Sequence, residues 1–259
     1  MKRLTGVLVL TVLLLSACGG GKSQDVELTI FAAASLTETL TELKTTYEAD
    51  HPEVTITYNF DSSGTLLTQI REGAGCDLFL SAAQKQMDAL EEEGALLEGS
   101  RVDLLENQVV LCVPGDNPKA IADFDGLAQA LTSGDILMAM GNSDVPVGQY
   151  TQKILAWYGL EEEALAAAGR ITYGSNVKEV VTQISEGSVD CGVVYRTDAS
   201  SAGLRVMDCA AAEMCGQVIC PAAVLGASEN SQAAQAFLDF LQSTAAMEVF
   251  EKAGFTPAG

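Results

Sequence analysis

Four segments of the sequence place hydroxyl, amide and glycine residues where a predicted strand gives way to a predicted helix. Ser and Asn side chains cap helix N-termini, and the first backbone N–H groups of a helix have no intrahelical acceptor. Such junctions can donate hydrogen bonds to an anion. In chain order they are Phe31-Ala32-Ala33-Ala34-Ser35-Leu36-Thr37-Glu38, Phe60-Asp61-Ser62-Ser63-Gly64-Thr65-Leu66, Asp144-Val145-Pro146-Val147-Gly148-Gln149-Tyr150 and Gly174-Ser175-Asn176-Val177-Lys178.

Each junction also has a purely structural interpretation as a helix cap. Ser35 is expected to be an N-cap, with Glu38 at the spacing of a capping box. Pro146 is expected to fix the turn before its helix, and Ser175 or Asn176 is expected to cap the fourth helix. Taken together, the four helix N-termini predict an anion site built from dipoles and N–H donors without a formal positive charge.

The sequence offers little for catalysis or metal binding. The single histidine, His51, precedes Pro52 in a polar loop and is a poor general base for any of the serines. No metal-ligand cluster is visible in the sequence. We therefore expect neither an enzyme nor a bound cofactor.

Seven cysteines occur, and Cys18 belongs to the N-terminal segment considered below. Cys112 and Cys191 lie in apolar runs and read as small buried side chains. Cys209, Cys215 and Cys220 match no zinc spacing, and a local disulfide among them is one interpretation. The pairing of the six remaining thiols, which include Cys76, stays open at this point.

The elements that must position the four junctions alternate along the chain. This alternation predicts an α/β protein with mostly parallel sheets, in which ligands bind at the carboxyl ends of the strands. Strands are predicted at 26–32, 54–60, 77–81, 109–113, 137–140, 189–195 and 222–226, and helices at 36–49, 65–72, 148–158, 177–186, 233–241 and 245–253.

The charge balance excludes some partners. With 14 Lys+Arg, 35 Asp+Glu and one His, the formal net charge of the 259 residues is −21. Nucleic acids and anionic membranes are recognised by clustered basic residues, so neither is an expected partner. A small anion enclosed by neutral donors is not excluded, since the surface field is screened by salt.

The N-terminus has the pattern of an export signal. Lys2 and Arg3 precede an apolar run over 4–15 that is shorter than the ~20 residues of a membrane-spanning helix. The ending Leu15-Ser16-Ala17-Cys18 resembles a bacterial lipobox, which implies a signal peptide over 1–17, lipidation at Cys18 and a tether over 18–25. We expect an extracytoplasmic, lipid-anchored protein whose mature charge is −23, because cleavage removes two bases and no acids.

The junctions belong to a longer ordered set of motifs. It comprises Ala32-Ala33-Ala34-Ser35-Leu36-Thr37, Ser62-Ser63-Gly64-Thr65-Leu66 with Gln69-Ile70, Gly73-Ala74-Gly75-Cys76-Asp77-Leu78-Phe79-Leu80-Ser81-Ala82, Val145-Pro146-Val147-Gly148-Gln149-Tyr150, Asn176-Val177, and Gly192-Val193-Val194-Tyr195-Arg196-Thr197-Asp198-Ala199. From about residue 27 to 255, the chain resembles the periplasmic molybdate-binding proteins of ABC transporters.

The resemblance implies the two-lobed type II fold of periplasmic binding proteins, with a ligand cleft between the lobes. Lobe 1 is expected to comprise 26–107 plus 219–259, and lobe 2 to comprise 108–218. The implied molybdate ligands, which bind the metal through its oxyanion, are Ser35, Ser63, Val147, Val177 and Tyr195. Val147 stands where the family often has alanine, and Cys76 and Cys191 stand where it commonly has small residues. The implied partner is a membrane permease, with the receptor a monomer.

Molybdate suits such a set because it is a dianion without a proton at neutral pH and only accepts hydrogen bonds. The five positions supply only donors and no carboxylate, so phosphate, which keeps a proton, is expected to be rejected. Sulfate differs mainly in size, and tungstate is nearly isosteric with molybdate. A binding protein for another oxyanion such as sulfate, and an extracytoplasmic oxyanion sensor, remain the alternatives.

Overall fold

The computed structural model describes residues 25–134 and 136–258. The predicted signal peptide and Cys18 lie outside these residues. Eleven strands are present in the described ranges: β1 (Val26–Ala33), β2 (Val54–Asp61), β3 (Leu78–Leu80), β4 (Val102–Asn107), β5 (Val109–Val113), β6 (Met138–Gly141), β7 (Ile171–Gly174), β8 (Cys191–Tyr195), β9 (Arg205–Cys209), β10 (Val218–Val224) and β11 (Thr256–Pro257).

Eleven α-helices connect or cover these strands in the same ranges. They are α1 (Thr37–Asp50), α2 (Ser63–Arg71), α3 (Gln84–Glu92), α4 (Phe124–Ser133), α5 (Pro146–Trp157), α6 (Glu162–Ala167), α7 (Val177–Ser185), α8 (Arg196–Ala202), α9 (Ala212–Cys215), α10 (Ser231–Leu241) and α11 (Thr244–Ala253). Within the described ranges, no helix is long and apolar enough to cross a membrane.

The strands form two separate sheets. The first has the order β11-β4-β10-β3-β1-β2, and the second has the order β7-β6-β8-β5-β9. We call the elements around the first sheet lobe 1 and those around the second lobe 2. The chain crosses from lobe 1 to lobe 2 at Gln108, between β4 and β5, and returns between β9 and β10.

The prediction of mostly parallel sheets was wrong. β1 pairs in parallel with β2 and β3, and β6 pairs in parallel with β7 and β8. The other five pairings in the described ranges are antiparallel and involve the strands next to the crossings. A chain that leaves a sheet by one strand and returns by another adds strands without a βαβ connection, so their direction is not fixed to parallel.

The cores follow from the apolar composition of the central strands. Every residue of β3, β5, β6 and β8 is buried, as expected for strands that are covered on both faces. Cys112 and Cys191 lie in two of these strands and are buried free thiols. The buried core also includes the ends of β1 and β6, two of the four strands from which the junctions start.

Candidate anion-binding site

One small cavity between the lobes brings together four of the five predicted ligand residues. Its volume is about 10 Å³, close to the space that a single water-sized molecule requires. The two lobes lie close together around this space. The lining residues are Ala33, Ala34, Ser35, Asp61, Ser62, Ser63, Ala82, Val145, Pro146, Val177 and Tyr195.

Ser35 reaches the cavity without acting as a helix cap, so the predicted capping box was wrong. A 3-10 turn over Ala34–Leu36 separates β1 from α1, and the N-cap of α1 is Leu36. Ser35 lies inside this turn, one residue too early to cap the helix. Its Oγ is buried and has no hydrogen-bond partner. A buried, unpaired hydroxyl costs free energy, which a ligand in the cavity would recover.

Ser63 is positioned by a cap that its neighbour provides. Ser62 is the N-cap of α2, and its Oγ accepts from the backbone N–H of Thr65 at 3.1 Å. Ser63 is fully buried, and its Oγ accepts from the backbone N–H of Ala82 at 3.0 Å. That bond uses an acceptor lone pair and leaves the Ser63 hydroxyl hydrogen available to donate.

On lobe 2, α5 begins at Pro146, two residues before the predicted start, so this proline lies in the helix and not in a turn before it. Pro146 is the first residue of α5 after the N-cap Val145, where its missing N–H is not needed. Val145 and Pro146 line the cavity, whereas Val147 is fully buried and is not among the lining residues. The Val147 N–H belongs to the first turn of α5 and has no acceptor within the helix.

The fourth junction presents the N-terminus of α7. Of the two predicted caps, Asn176 is the one that forms, and its side chain accepts from the backbone N–H of Glu179 at 3.2 Å. Val177 is therefore the first residue of α7, and it lines the cavity. Its N–H lies at the positive end of the helix and has no intrahelical acceptor.

Tyr195 ends β8 and is almost completely buried. Burial raises the pKa of Tyr195 well above its usual value, because the phenolate would have no water around it. The side chain therefore keeps its proton and stays a donor. Its hydroxyl donates weakly to the carbonyl of Ala82 at 3.4 Å, so the Ala82 peptide contacts both Ser63 and Tyr195.

Two further contacts join the lobes beside the cavity. The backbone N–H of Gly64, in α2, donates to the carbonyl of Asp144 in lobe 2 at 3.1 Å. A Cβ at Gly64 would lie 2.2 Å from that carbonyl oxygen, so this approach requires glycine. On the opposite side, Lys178 of α7 forms an ion pair with Glu38 of α1.

Sequence reasoning missed Asp61 as a cavity residue. Asp61 ends β2 and lines the cavity, and its Oδ1 accepts from the backbone N–H of Ser62 at 2.7 Å. The five predicted positions carry no carboxylate, but the cavity does have one beside them. Its position directly before the Ser62-Ser63 pair was the signal that could have revealed it.

The remaining candidates lie away from the cavity. His51 stacks on Tyr47 with ring centroids 4.3 Å apart, and its Nδ1 lies 3.6 Å from Glu53 Oε1. The described part of the chain contains no group of three or more His, Cys, Asp or Glu suited to a metal ion. The local disulfide considered for Cys209, Cys215 and Cys220 does not form, and Cys76 is also a free thiol.

Comparison with known proteins identifies relatives over nearly the whole chain. The model of the family "Bacterial extracellular solute-binding protein" matches residues 28–256. The chain is 36% identical over 251 residues to YvgL of Bacillus subtilis (strain 168), provisionally described as an ABC transporter substrate-binding lipoprotein, with 94% of each chain covered. It is 30% identical over 248 residues to the molybdate-binding protein ModA of Escherichia coli (strain K12), with 93% of each chain covered.

A solved structure supports the fold. The periplasmic molybdate-binding protein of Azotobacter vinelandii superposes with a TM-score of 0.77 at 22% identity, covering 90% of this chain and 100% of that one. It shows a shared two-lobed architecture. The family match indicates a solute-binding protein of an extracytoplasmic family, and this is not a family of enzymes. The chain belongs to the bacterial extracellular solute-binding proteins and is a ModA-like substrate-binding protein of an ABC transporter.

Proposed function

We propose that this protein binds molybdate and tungstate in the cavity between its lobes and delivers the ion to an ABC permease. The observation that carries the proposal is the buried Ser35 Oγ, which has no partner in the protein and lies in a cavity with three further predicted donors. Ser63, Val177 and Tyr195 complete this set, and we assign Val147 to it through its backbone N–H.

The donor set matches the chemistry of a fully deprotonated oxyanion. Two serine hydroxyls, one tyrosine hydroxyl and helix N-terminal N–H groups donate hydrogen bonds, and molybdate oxygens accept them. Each charge-assisted bond contributes roughly 1.5–3 kcal/mol.

The Asp61 carboxylate affects which oxyanions the cavity is expected to bind. Its negative charge repels any dianion in the cavity, so the hydrogen bonds from the five donors must outweigh this repulsion. Phosphate near neutral pH carries a proton that a carboxylate could accept, which makes phosphate a necessary competitor in any test. The proposal predicts that Asp61 stays engaged with the Ser62 N–H and offers phosphate no advantage.

We further propose that Cys18 carries a lipid that holds the receptor at the outer face of the membrane as a monomer. The lipobox resemblance and the lipoprotein description of the YvgL relative support this. Replacement of Cys18 by alanine should release the protein from the membrane fraction, and mass spectrometry of the N-terminal peptide should show the lipid. An unmodified N-terminus in membrane-bound protein would contradict the anchor.

Isothermal titration calorimetry of residues 19–259, which omit the signal peptide and the lipidated cysteine, tests the ligand assignment. Molybdate and tungstate should bind with similar affinity, and sulfate and phosphate should bind far more weakly. Equal binding of sulfate and molybdate would contradict the specificity. Absence of binding by all four oxyanions would contradict the proposed function.

A further inference from the structure

Lys178 lies between two carboxylates that belong to different lobes. Its Nζ is 2.9 Å from Oε1 and 2.8 Å from Oε2 of Glu38, which is in α1 of lobe 1. The same Nζ is 2.9 Å from Oδ1 of Asp198, which is in α8 of lobe 2. One ammonium group thus links the two lobes by direct contact.

The position of this ion pair relates it to the cavity. Lys178 directly follows Val177 in the first turn of α7, and Glu38 follows Ser35 by three residues in the first turn of α1. The pair therefore joins the two helix starts that carry the Ser35 hydroxyl and the Val177 N–H. Ser35 and Val177 both line the cavity, so the distance between these donors depends on this contact.

Asp198 holds the Lys178 side chain in place within lobe 2. The Asp198 carboxylate is fully buried, and apart from its close ion pair with Lys178 neither oxygen has a hydrogen bond of good geometry. Lys178 is therefore held within lobe 2 by a strong local attraction. Because its side chain is already ordered, capture of Glu38 costs little additional conformational entropy.

We propose that Lys178 is a positioning residue for ligand binding, which latches lobe 1 to lobe 2 through Glu38 when the cavity closes. This inference rests on the proposed function for its ligand. The ion pair forms in the closed protein and breaks when the lobes separate, so it should slow ligand release more than it speeds capture.

The latch and the simple repulsion between Glu38 and a dianion predict opposite changes in binding affinity when the Glu38 charge is removed. A carboxylate near a dianion repels it, so removal of the Glu38 charge would tighten binding if Glu38 had no other role. If Glu38 is half of the latch, its removal weakens binding. For a half-exposed ion pair we expect Glu38→Gln to weaken molybdate binding by about two- to fivefold.

The experiment measures molybdate affinity and dissociation rate for Glu38→Gln, with Glu42→Gln as its matched control. Glu42 is an exposed residue of the same helix, one turn further from the cavity. The control should bind molybdate as tightly as the parent or slightly more tightly. The Glu38→Gln loss should appear as faster dissociation. Unchanged or tighter binding by Glu38→Gln, with the parent protein binding molybdate, would overturn the latch alone.

A double-mutant cycle separates the latch from general damage at Lys178. Lys178→Met leaves Asp198 buried without its partner, so the cycle is built on Asp198→Asn, which removes that charge. In this background, Glu38→Gln should weaken binding when Lys178 is present and should leave binding unchanged or slightly tighter after Lys178→Met. Lys178→Arg should retain most of the affinity. Equal effects of Glu38→Gln with and without Lys178 would overturn the inference.

Failure of the proposed function gives a different result. If the parent protein binds no molybdate, tungstate, sulfate or phosphate, the ligand assignment fails, and small-angle X-ray scattering of the unliganded proteins tests the latch. The latch then predicts that Glu38→Gln is more extended than both the parent and Glu42→Gln. Identical scattering of the three proteins would overturn the latch as well.

Discussion

In the proposed site, the two lobes supply hydrogen-bond donors of different kinds. Lobe 1 contributes side chains, the hydroxyls of Ser35 and Ser63, while lobe 2 contributes mainly the backbone at the starts of α5 and α7. The Tyr195 side chain is the one hydroxyl donor that we assign to lobe 2. Side-chain identity therefore matters on the lobe 1 wall, whereas on lobe 2 the helix geometry matters more than the residue type.

In the proposed site, this difference explains how two valines can contribute to anion binding. Val177 needs only its N–H, which Asn176 directs by capping α7, and Val147 needs only the turn that Pro146 begins. The valine side chains are buried in the core. Exclusion of water strengthens every hydrogen bond that the cavity makes.

The largest loss of molybdate affinity should come from a substitution that keeps the two lobes apart. In Gly64→Ala the new Cβ would lie 2.2 Å from the Asp144 carbonyl oxygen, so the lobes cannot close to this distance. We expect molybdate affinity to fall by about 100-fold, since overpacking of this kind costs roughly 3 kcal/mol. Gly75→Ala is the control, because nothing lies within 4 Å of a Cβ there. Equal affinities of the two variants in calorimetry would show that closure does not depend on this contact.

Val177→Pro tests the backbone donor of lobe 2. Proline is accepted at the first position of a helix, and Asn176 already has the extended backbone (φ −153°, ψ 173°) that proline favours in the preceding residue. The substitution removes one N–H, and affinity should fall by roughly 10- to 100-fold.

Val177→Ala is the matched control, because it shortens the side chain and keeps the N–H. Its molybdate affinity should change by less than about threefold, although the loss of buried methyl groups lowers stability. If Val177→Ala weakens binding as much as Val177→Pro, the valine side chain and not the backbone serves the ligand.

Alanine substitutions at the two serines of lobe 1, Ser35 and Ser63, should affect the stability of the protein differently. Ser35→Ala and Ser63→Ala should each weaken molybdate binding by about 1–3 kcal/mol. Without ligand, Ser35→Ala loses no hydrogen bond, while Ser63→Ala leaves the Ala82 N–H without its acceptor. Thermal unfolding should therefore show a lower Tm for unliganded Ser63→Ala only. Unchanged binding by both variants would place the ligand elsewhere.

A smaller change, in this case a gain of molybdate affinity, is expected from a substitution at Asp61. Asp61→Asn removes a negative charge from the cavity wall, so molybdate binding should tighten by about two- to tenfold. Titrations with molybdate and phosphate check this. If Asp61→Asn instead weakens phosphate binding and leaves molybdate unchanged, the carboxylate serves a protonated oxyanion.

The smallest predicted effect concerns stability. Burial raises the pKa of Asp198 to about 6, although Lys178 opposes the shift. The folded protein therefore holds this proton to higher pH than the unfolded chain does, and the free energy of unfolding should fall as pH rises from about 4 to about 6. Denaturant unfolding of Asp198→Asn across this range should show a shallower decline. An unchanged slope would contradict the raised pKa.

Local chemistry made part of the site predictable. The strand-to-helix junctions were found because Ser62, Asn176 and Pro146 act within a few residues of their own positions in sequence. Ser35 lines the cavity, but its predicted role as a helix cap was wrong. A 3-10 turn between β1 and α1 depends on how the chain leaves the sheet, which composition does not specify.

Long-range contacts could not be predicted in this way. Lys178 and Glu38 are 140 residues apart and meet only because the lobes close. The same limit applies to the strands near the crossings. β4 and β9 lack strongly apolar patterns and were not predicted, since pairing with β10 and β5 defines them.

The most direct test of the account is a crystal structure of the mature protein with molybdate, measured at the molybdenum absorption edge. The account predicts a single anomalous peak between the lobes, with oxygens within hydrogen-bond distance of the Ser35 and Ser63 hydroxyls, the Val147 and Val177 N–H groups and the Tyr195 hydroxyl. A peak outside this cavity, or a bound ion whose oxygens contact only one lobe, would contradict it.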